Sequence, residues 1–293
     1  MLKKKDTITA EELVKHNYIP TEEILTVVQL ALMLEKPILI EGPAGTGKTS
    51  LATASAKALG LELLRIQCFE GIDSIQVIGE FNYKKQLLFL QQRHLQRQNG
   101  IQNDNETDIF SLEFFIPRPL FRAFTSEKRT VLLIDELDAA DEEFTAFLLE
   151  ALGEGQITVP EFGTIRSKCL PVVFMTSNNR QDLPEALRRR ALYLYVDYPS
   201  VEREKQIVRA HCPDSKDNLL TTMIQFVHEL RSLDLKKPPS ISETIDWARS
   251  LLYLGAEDSL SPEIIRKTLN VVLKHREDFS TVKKELENLL RAQ

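Results

Sequence analysis

"ILIEGPAGTGKTSLATASAKALG" occupies residues 38–60. ILIE is a short continuous apolar run, the pattern of a strand buried on both faces. KTSLATASAKALG is rich in alanine and leucine and stops at Gly60, the pattern of a helix with a glycine stop. Between them, GPAGTGKT fits the spacing GxxxxGKT. The glycines let the backbone curl so that the N–H groups of residues 45–49 point inward. Those donors and the helix N-terminus make a fixed anion site. Gly42, Pro43, Ala44, Gly45, Thr46, Gly47, Lys48, Thr49 and Ser50 are therefore candidates for holding the phosphates of a nucleotide. Lys48 reaches the β- and γ-phosphates in such a loop, and Thr49 offers its hydroxyl to Mg²⁺. The competing reading is a glycine-rich turn with an accidental lysine, and the strand–loop–helix context weighs against it.

TVLLIDE, residues 130–136, reads as another buried strand and ends on two carboxylates. Ligands of open α/β sheets gather at such strand ends. Adjacent strand residues point to opposite sides, so the two acids have different work. Asp135 suits Mg²⁺ held through its water shell, and Glu136 suits orienting or deprotonating an attacking water. A solvated loop that merely begins with acids is the alternative. MTSNN, residues 175–179, ends a further strand. An amide there can hold the attacking water, with Asn178 the first choice and Asn179 the second. An ordinary turn-forming Asn pair competes with that reading.

The totals bound the class. The chain has 293 residues, 27% charged and 43% hydrophobic, with net charge −6, ordinary values for a soluble globular protein. A pI near 5.6 argues against coating nucleic acid or an anionic membrane. Cys68, Cys169 and Cys212 are far apart and not in CxxC spacing, which supports neither a disulfide framework nor a zinc site. His16, His94, His211, His228 and His275 are scattered without metal spacing. MLKKKD has no apolar run behind it, and no apolar run approaches the ~18–20 residues that span a bilayer. A cytoplasmic location is expected.

Residues 7–35 read as helix, with Thr9 and Glu12 in capping-box spacing, and Pro37 ends it. LELLRIQC, residues 61–68, is a strand. FNYKKQLLFLQ fits strand or helix, and the polar stretch 97–108 reads as a mobile loop. An amphipathic helix covers 141–155, a hairpin 155–169, and strands 171–178 and 192–198. Beyond Ser200 the periodicity is helical throughout, and Trp247 reads as core. The expected organisation is an α/β nucleotide-binding domain over 1–199, with an insert at about 75–120, and a helical domain over 200–293. Tyr18 and Ile19 precede the first strand and either touch a nucleobase or pack.

In LPEALRRR, residues 183–190, Asp182 is expected to cap a short helix with Pro184 in its first turn. Arg188, Arg189 and Arg190 then lie about 100° apart and cannot all face one target. A solvated basic face is the plain reading of the cluster.

Taken together, GPAGTGKT, VLLIDE, MTSNN and LPEALRRR, followed by a helical domain, resemble an AAA+ ATPase. EGPAGTGKTSLA, FIPRPLFRAF (115–124), ITVPEFGTIR (157–166) and LPEALRRR are similar to the MoxR family. CFEGIDSIQVIGEFNYKKQLLFLQ (68–91) resembles its carbon monoxide dehydrogenase accessory subgroup. The resemblance implies a P-loop NTPase fold with a parallel sheet ordered 5-1-4-3-2 and a C-terminal helical lid. It implies ATP with Mg²⁺ and a ring, usually a hexamer. It also implies remodelling of a protein client, often a metalloenzyme, with a von Willebrand factor A domain partner. On the family pattern Arg190 is the finger that reaches a neighbour's γ-phosphate, with Arg189 next. Many relatives carry a further arginine at the start of a lid helix. Ser242 stands there in this sequence, and Arg249 lies two turns on. A nucleotide-dependent binding switch and a GTP-using or DNA-acting relative remain as rivals.

Overall fold

The structure is a computed structural model that describes residues 7–98, 108–159, 162–256 and 260–291. Its strands are β1 Ile38–Glu41, β2 Leu63–Gln67, β3 Gly79–Phe81, β4 Phe115–Pro117, β5 Val131–Asp135, β6 Gln156–Val159, β7 Gly163–Arg166, β8 Val172–Ser177 and β9 Leu192–Tyr195. Five of them form a sheet in the order β2-β5-β8-β1-β9. This order agrees with the expected 5-1-4-3-2 once β3, β4, β6 and β7, which pair among themselves, are left out of the numbering.

The sheet is parallel. Leu63 of β2 stands opposite Val131 of β5, and Val131 opposite Val172 of β8. The Leu192 N–H donates to the Pro37 carbonyl and the Val196 N–H to the Glu41 carbonyl, both at 2.8 Å, which runs β9 parallel to β1. β1, β5 and β8 are buried at every position, whereas β2 and β9 at the edges bury only some of theirs. Helices cover both faces of such a sheet, so its central strands read as unbroken apolar runs.

The chain divides into two compact units. One comprises Met1–Gln29, Ile40–Leu59 and Leu194–Gln293; the other comprises Leu30–Leu39 and Gly60–Tyr193. The first unit holds the loop after β1 and the C-terminal helices. Those helices enclose an apolar core in which Trp247 is fully buried, its indole N–H donating to Thr268 Oγ1 at 2.8 Å. The second unit holds β5, β8 and two antiparallel pairs, β3–β4 and β6–β7. Its core gathers Phe81, Phe114, Phe115, Phe121 and Phe124 around the β3–β4 insert. No helix among the described residues is long and apolar enough to cross a membrane.

Local differences from expectation have physical causes. Residues 7–35 form two helices, Ala10–Lys15 and Glu22–Leu34, because Asn17 turns left-handed at φ 61° between them and Pro20 follows. The Thr9–Glu12 capping box is present. The ambiguous segment is helix from Tyr83 to Gln98. The polar stretch 97–108 otherwise lies outside the described residues, except for Asp108. Asp182 does not cap the arginine helix. That helix is Glu185–Arg190, Pro184 is its N-cap residue, and no side chain caps it.

Candidate functional site

The loop after β1 is shaped by what stands against it. Gly42 has φ +147°, and a Cβ there would lie 2.0 Å from the Val196 carbonyl oxygen. Gly45 has φ +76°, and its Cβ would lie 2.4 Å from that of Ser240. Both positions demand glycine by conformation and by space. Ser240 is the N-cap of the helix Ile241–Tyr253, closed by a capping box with Glu243. The Ile241 N–H donates to the Gly45 carbonyl at 3.3 Å, so the start of this C-terminal helix is docked on the loop. The Lys48 ammonium is buried and donates to the Gly42 and Pro43 carbonyls, both at 2.7 Å. A lysine held at the loop's own backbone is in place to neutralise phosphate oxygens entering the same turn.

A cavity of about 300 Å³ opens on this loop. Gly45, Thr46, Gly47, Thr49 and Ser50 line one part of it, and Tyr18, Ile19, Ile207 and Ile245 line another. Glycine-rich backbone beside an apolar wall is a composition suited to a nucleotide. Among the described residues the Tyr18 hydroxyl has no partner in hydrogen-bonding geometry, although the Arg203 guanidinium is close enough to act on it. Burial pushes the Tyr18 phenol up to about 12 against the pull of Arg203, so it stays neutral. Ser242 lines the cavity as well. Arg249 does not; it stands 3.6 Å from Asp246 and acts on Cys212.

In the second unit, β5 delivers Asp135 and Glu136. Asp135 is buried. Its Oδ1 accepts from Thr176 Oγ1 at 2.5 Å and its Oδ2 from Arg65 Nη2 at 2.6 Å. Thr176 is doubly used, because its Oγ1 also accepts the Glu136 N–H at 2.9 Å. Glu136 itself is left-handed at φ 55°, ψ 48°, a costly conformation for a side chain with a Cβ. The turn after β8 is pinned by Asp138, whose Oδ2 accepts the N–H groups of Asn178 at 3.0 Å and Arg180 at 2.9 Å. Arg180 reaches back to Glu136, Nη2 to Oε2, at 3.3 Å. Cys68 shares this neighbourhood. Burial, and then the negative Asp135, Asp138 and Glu136, push its thiol up to about 12, so it carries no thiolate chemistry.

The three arginines differ in employment. Arg190 donates through Nη1 to the Leu149 carbonyl at 2.9 Å and packs on Gly153, where a Cβ would lie 2.9 Å from that nitrogen. Arg189 is exposed and pairs with Glu185 one turn back at 3.1 Å. Both line a cavity of about 340 Å³ with Leu149, Leu152, Met175 and Leu187.

Arg65, Thr176, Arg180 and Arg203 were not among the sequence candidates. Thr176 lies inside the quoted MTSNN, and Arg203 is a cation in a helix's first turn, where the dipole disfavours it. Those two carried a signal. Arg65 and Arg180 carried none short of the fold.

Comparisons with known proteins bear on the fold and the family. An uncharacterized protein of Staphylococcus haemolyticus is 25% identical over 285 residues, covering 94% of this chain and 99% of its own. One of Staphylococcus saprophyticus is 24% identical over 274 residues, covering 89% and 93%. Among solved structures, the RuvB Holliday junction branch migration motor of Thermotoga maritima matches with a TM-score of 0.50 at 18% identity, over 90% of this chain and 70% of that one. That likeness concerns the fold, a RuvB-like AAA+ sheet with a helical C-terminal region. A family model described as "AAA domain (dynein-related subfamily)" matches residues 37–191. The match runs from the residue before β1 to the residue after the three arginines, more than half of the chain, and it makes this protein a member of the dynein-related AAA domain family.

Proposed function

We propose that this protein is an ATPase of MoxR type that hydrolyses Mg²⁺-ATP in an oligomeric ring and uses the cycle to remodel a protein client. The observation that carries the reading is the cavity beside the loop of residues 42–50, with Lys48 buried at the loop's carbonyls and a C-terminal helix docked on Gly45. In this reading Lys48 and the loop N–H groups hold the phosphates. Thr49 and Asp135 hold Mg²⁺, the latter through water. Glu136 activates the attacking water and Asn178 orients it. A finger from the arginine helix completes a neighbour's site. Arg189 pairs with Glu185 of its own helix, whereas Arg190 must leave the Leu149 carbonyl to serve. The β3–β4 insert and the β6–β7 hairpin support the MoxR assignment within the family, and with it a von Willebrand factor A domain partner.

The test is phosphate release per subunit as protein concentration rises, for the native chain and for Lys48→Ala, Glu136→Gln, Arg189→Ala and Arg190→Ala. Native activity should climb with assembly. Lys48→Ala should not bind ATP, and Glu136→Gln should bind but not turn over. One arginine variant should assemble, bind and stay inactive. Flat activity per subunit with both arginine variants at the native rate favours a nucleotide-dependent binding switch instead.

A further inference from the structure

We propose that Arg203 sets the nucleobase selectivity of the cavity beside the phosphate loop, by occupying the Ile19 carbonyl that would otherwise read adenine. The inference rests on the nucleotide reading of that cavity and adds what the base meets there. Arg203 comes from the first turn of the helix Val201–His211. Its Nε and Nη2 donate to the Ile19 carbonyl at 3.2 and 2.9 Å, across 184 residues of chain. Arg203 and Ile19 both line the cavity, with Ile207 and Ile245 offering an apolar wall for a planar ring.

The chemistry follows from donor and acceptor counts. A backbone carbonyl has two lone pairs, and the two guanidinium donors use both. Adenine presents an exocyclic amine, a donor, where guanine presents O6, an acceptor. A free carbonyl at that edge favours adenine; an occupied one does not. Arg203 keeps three further N–H donors, and such donors suit O6. Guanine is not strongly selected either, because the described residues that line the cavity include no carboxylate to accept its ring N–H and amine. Asn17 also lines the cavity, but its amide carries both a donor and an acceptor and can turn to either base. The site is therefore permissive, and Arg203 makes it so.

The experiment is titration calorimetry of ADP and GDP with the native chain, Arg203→Leu and Lys48→Ala. The native dissociation constants should lie within about fivefold of each other. Arg203→Leu frees the Ile19 carbonyl and should move the ratio toward ADP by about threefold or more, the range of one neutral hydrogen bond. A native preference for ADP beyond about fivefold overturns the proposal. So does an Arg203→Leu variant that weakens both nucleotides equally, the signature of a structural role alone. If Arg203→Leu does not fold, the native ratio decides. Unchanged binding by Lys48→Ala sinks the phosphate-loop reading itself and is thereby told apart from failure of the Arg203 assignment.

Discussion

Arg180 Nη2 stands 3.3 Å from Glu136 Oε2, so the carboxylate assigned to activate water is engaged by a cation from the turn after β8. A carboxylate held in an ion pair is turned from its target. Both side chains are partly exposed, 58% and 38%, and such a pair is worth about 0.2–1 kcal/mol. Removing it with Arg180→Ala should raise the basal turnover of dilute protein by up to about fivefold. Steady-state phosphate release checks this. A rate that instead falls as far as in Glu136→Gln would make Arg180 part of the hydrolytic set.

Thr176 serves two residues at once, donating to Asp135 and accepting from the Glu136 N–H. Thr176→Val keeps the shape and removes both functions. The cost of leaving buried polar groups under-satisfied is about 1–3 kcal/mol. Thermal unfolding should show that loss, and Mg²⁺-dependent nucleotide binding should weaken while binding without Mg²⁺ holds. An unchanged melting temperature would mean that the two groups find other donors and acceptors.

What could be read from the sequence was what is local. GPAGTGKT, the apolar strands and the C-terminal helices follow from spacing and periodicity within a dozen residues, and the structure has them. The pairings around the candidate site join distant residues and leave no periodic trace: Arg65 to Asp135, Arg180 to Glu136, Arg203 to Ile19. Polarity also misled at single positions. Asp182 is a good capping residue, yet Pro184 becomes the N-cap and the carboxylate caps nothing. The segment from Tyr83 resisted assignment because its helix leaves Leu87 and Leu88 more than half exposed while burying Gln86, so its apolar residues do not mark an inner face.

Gly45 and Ser240 meet so closely that a Cβ on the glycine would lie 2.4 Å from the serine Cβ. Gly45→Ala should therefore disturb both the phosphate loop and the seating of the helix Ile241–Tyr253, lowering nucleotide affinity by tenfold or more. Part of the loss is steric, and about 1–2 kcal/mol is the left-handed backbone itself. Ser240→Gly costs only a few tenths of a kcal/mol as a cap and removes the steric part. A double-mutant cycle measured by calorimetry should show the two changes compensating by about 1 kcal/mol or more. Strict additivity would mean that loop and helix are not in contact in solution.

Glu204 ties three helices of the C-terminal region. It is fully buried, and Arg231 grips it through Nη1 to Oε2 at 2.6 Å and Nη2 to Oε1 at 2.8 Å, with His228 Nε2 at 2.9 Å. Arg231 also reaches the Pro239 carbonyl at 2.7 Å and Thr244 Oγ1 at 3.4 Å. Burial alone pushes the Glu204 carboxyl up, but the hydrogen bonds from His228 and Arg231 outweigh it and hold the group below its ordinary value of 4.5. The ionised form is thus the one that folding favours. Its contribution is fully present above about pH 4.5 and is lost as pH falls through the depressed value in the folded state. Glu204→Gln leaves the largely buried Arg231 charge without its counter-ion, which costs about 3–5 kcal/mol at neutral pH. Urea unfolding at pH 7 and below pH 4 checks both parts. The variant should be less stable at pH 7 and should lose less on acidification than the native chain. Equal losses on acidification would place the acid sensitivity in other carboxylates.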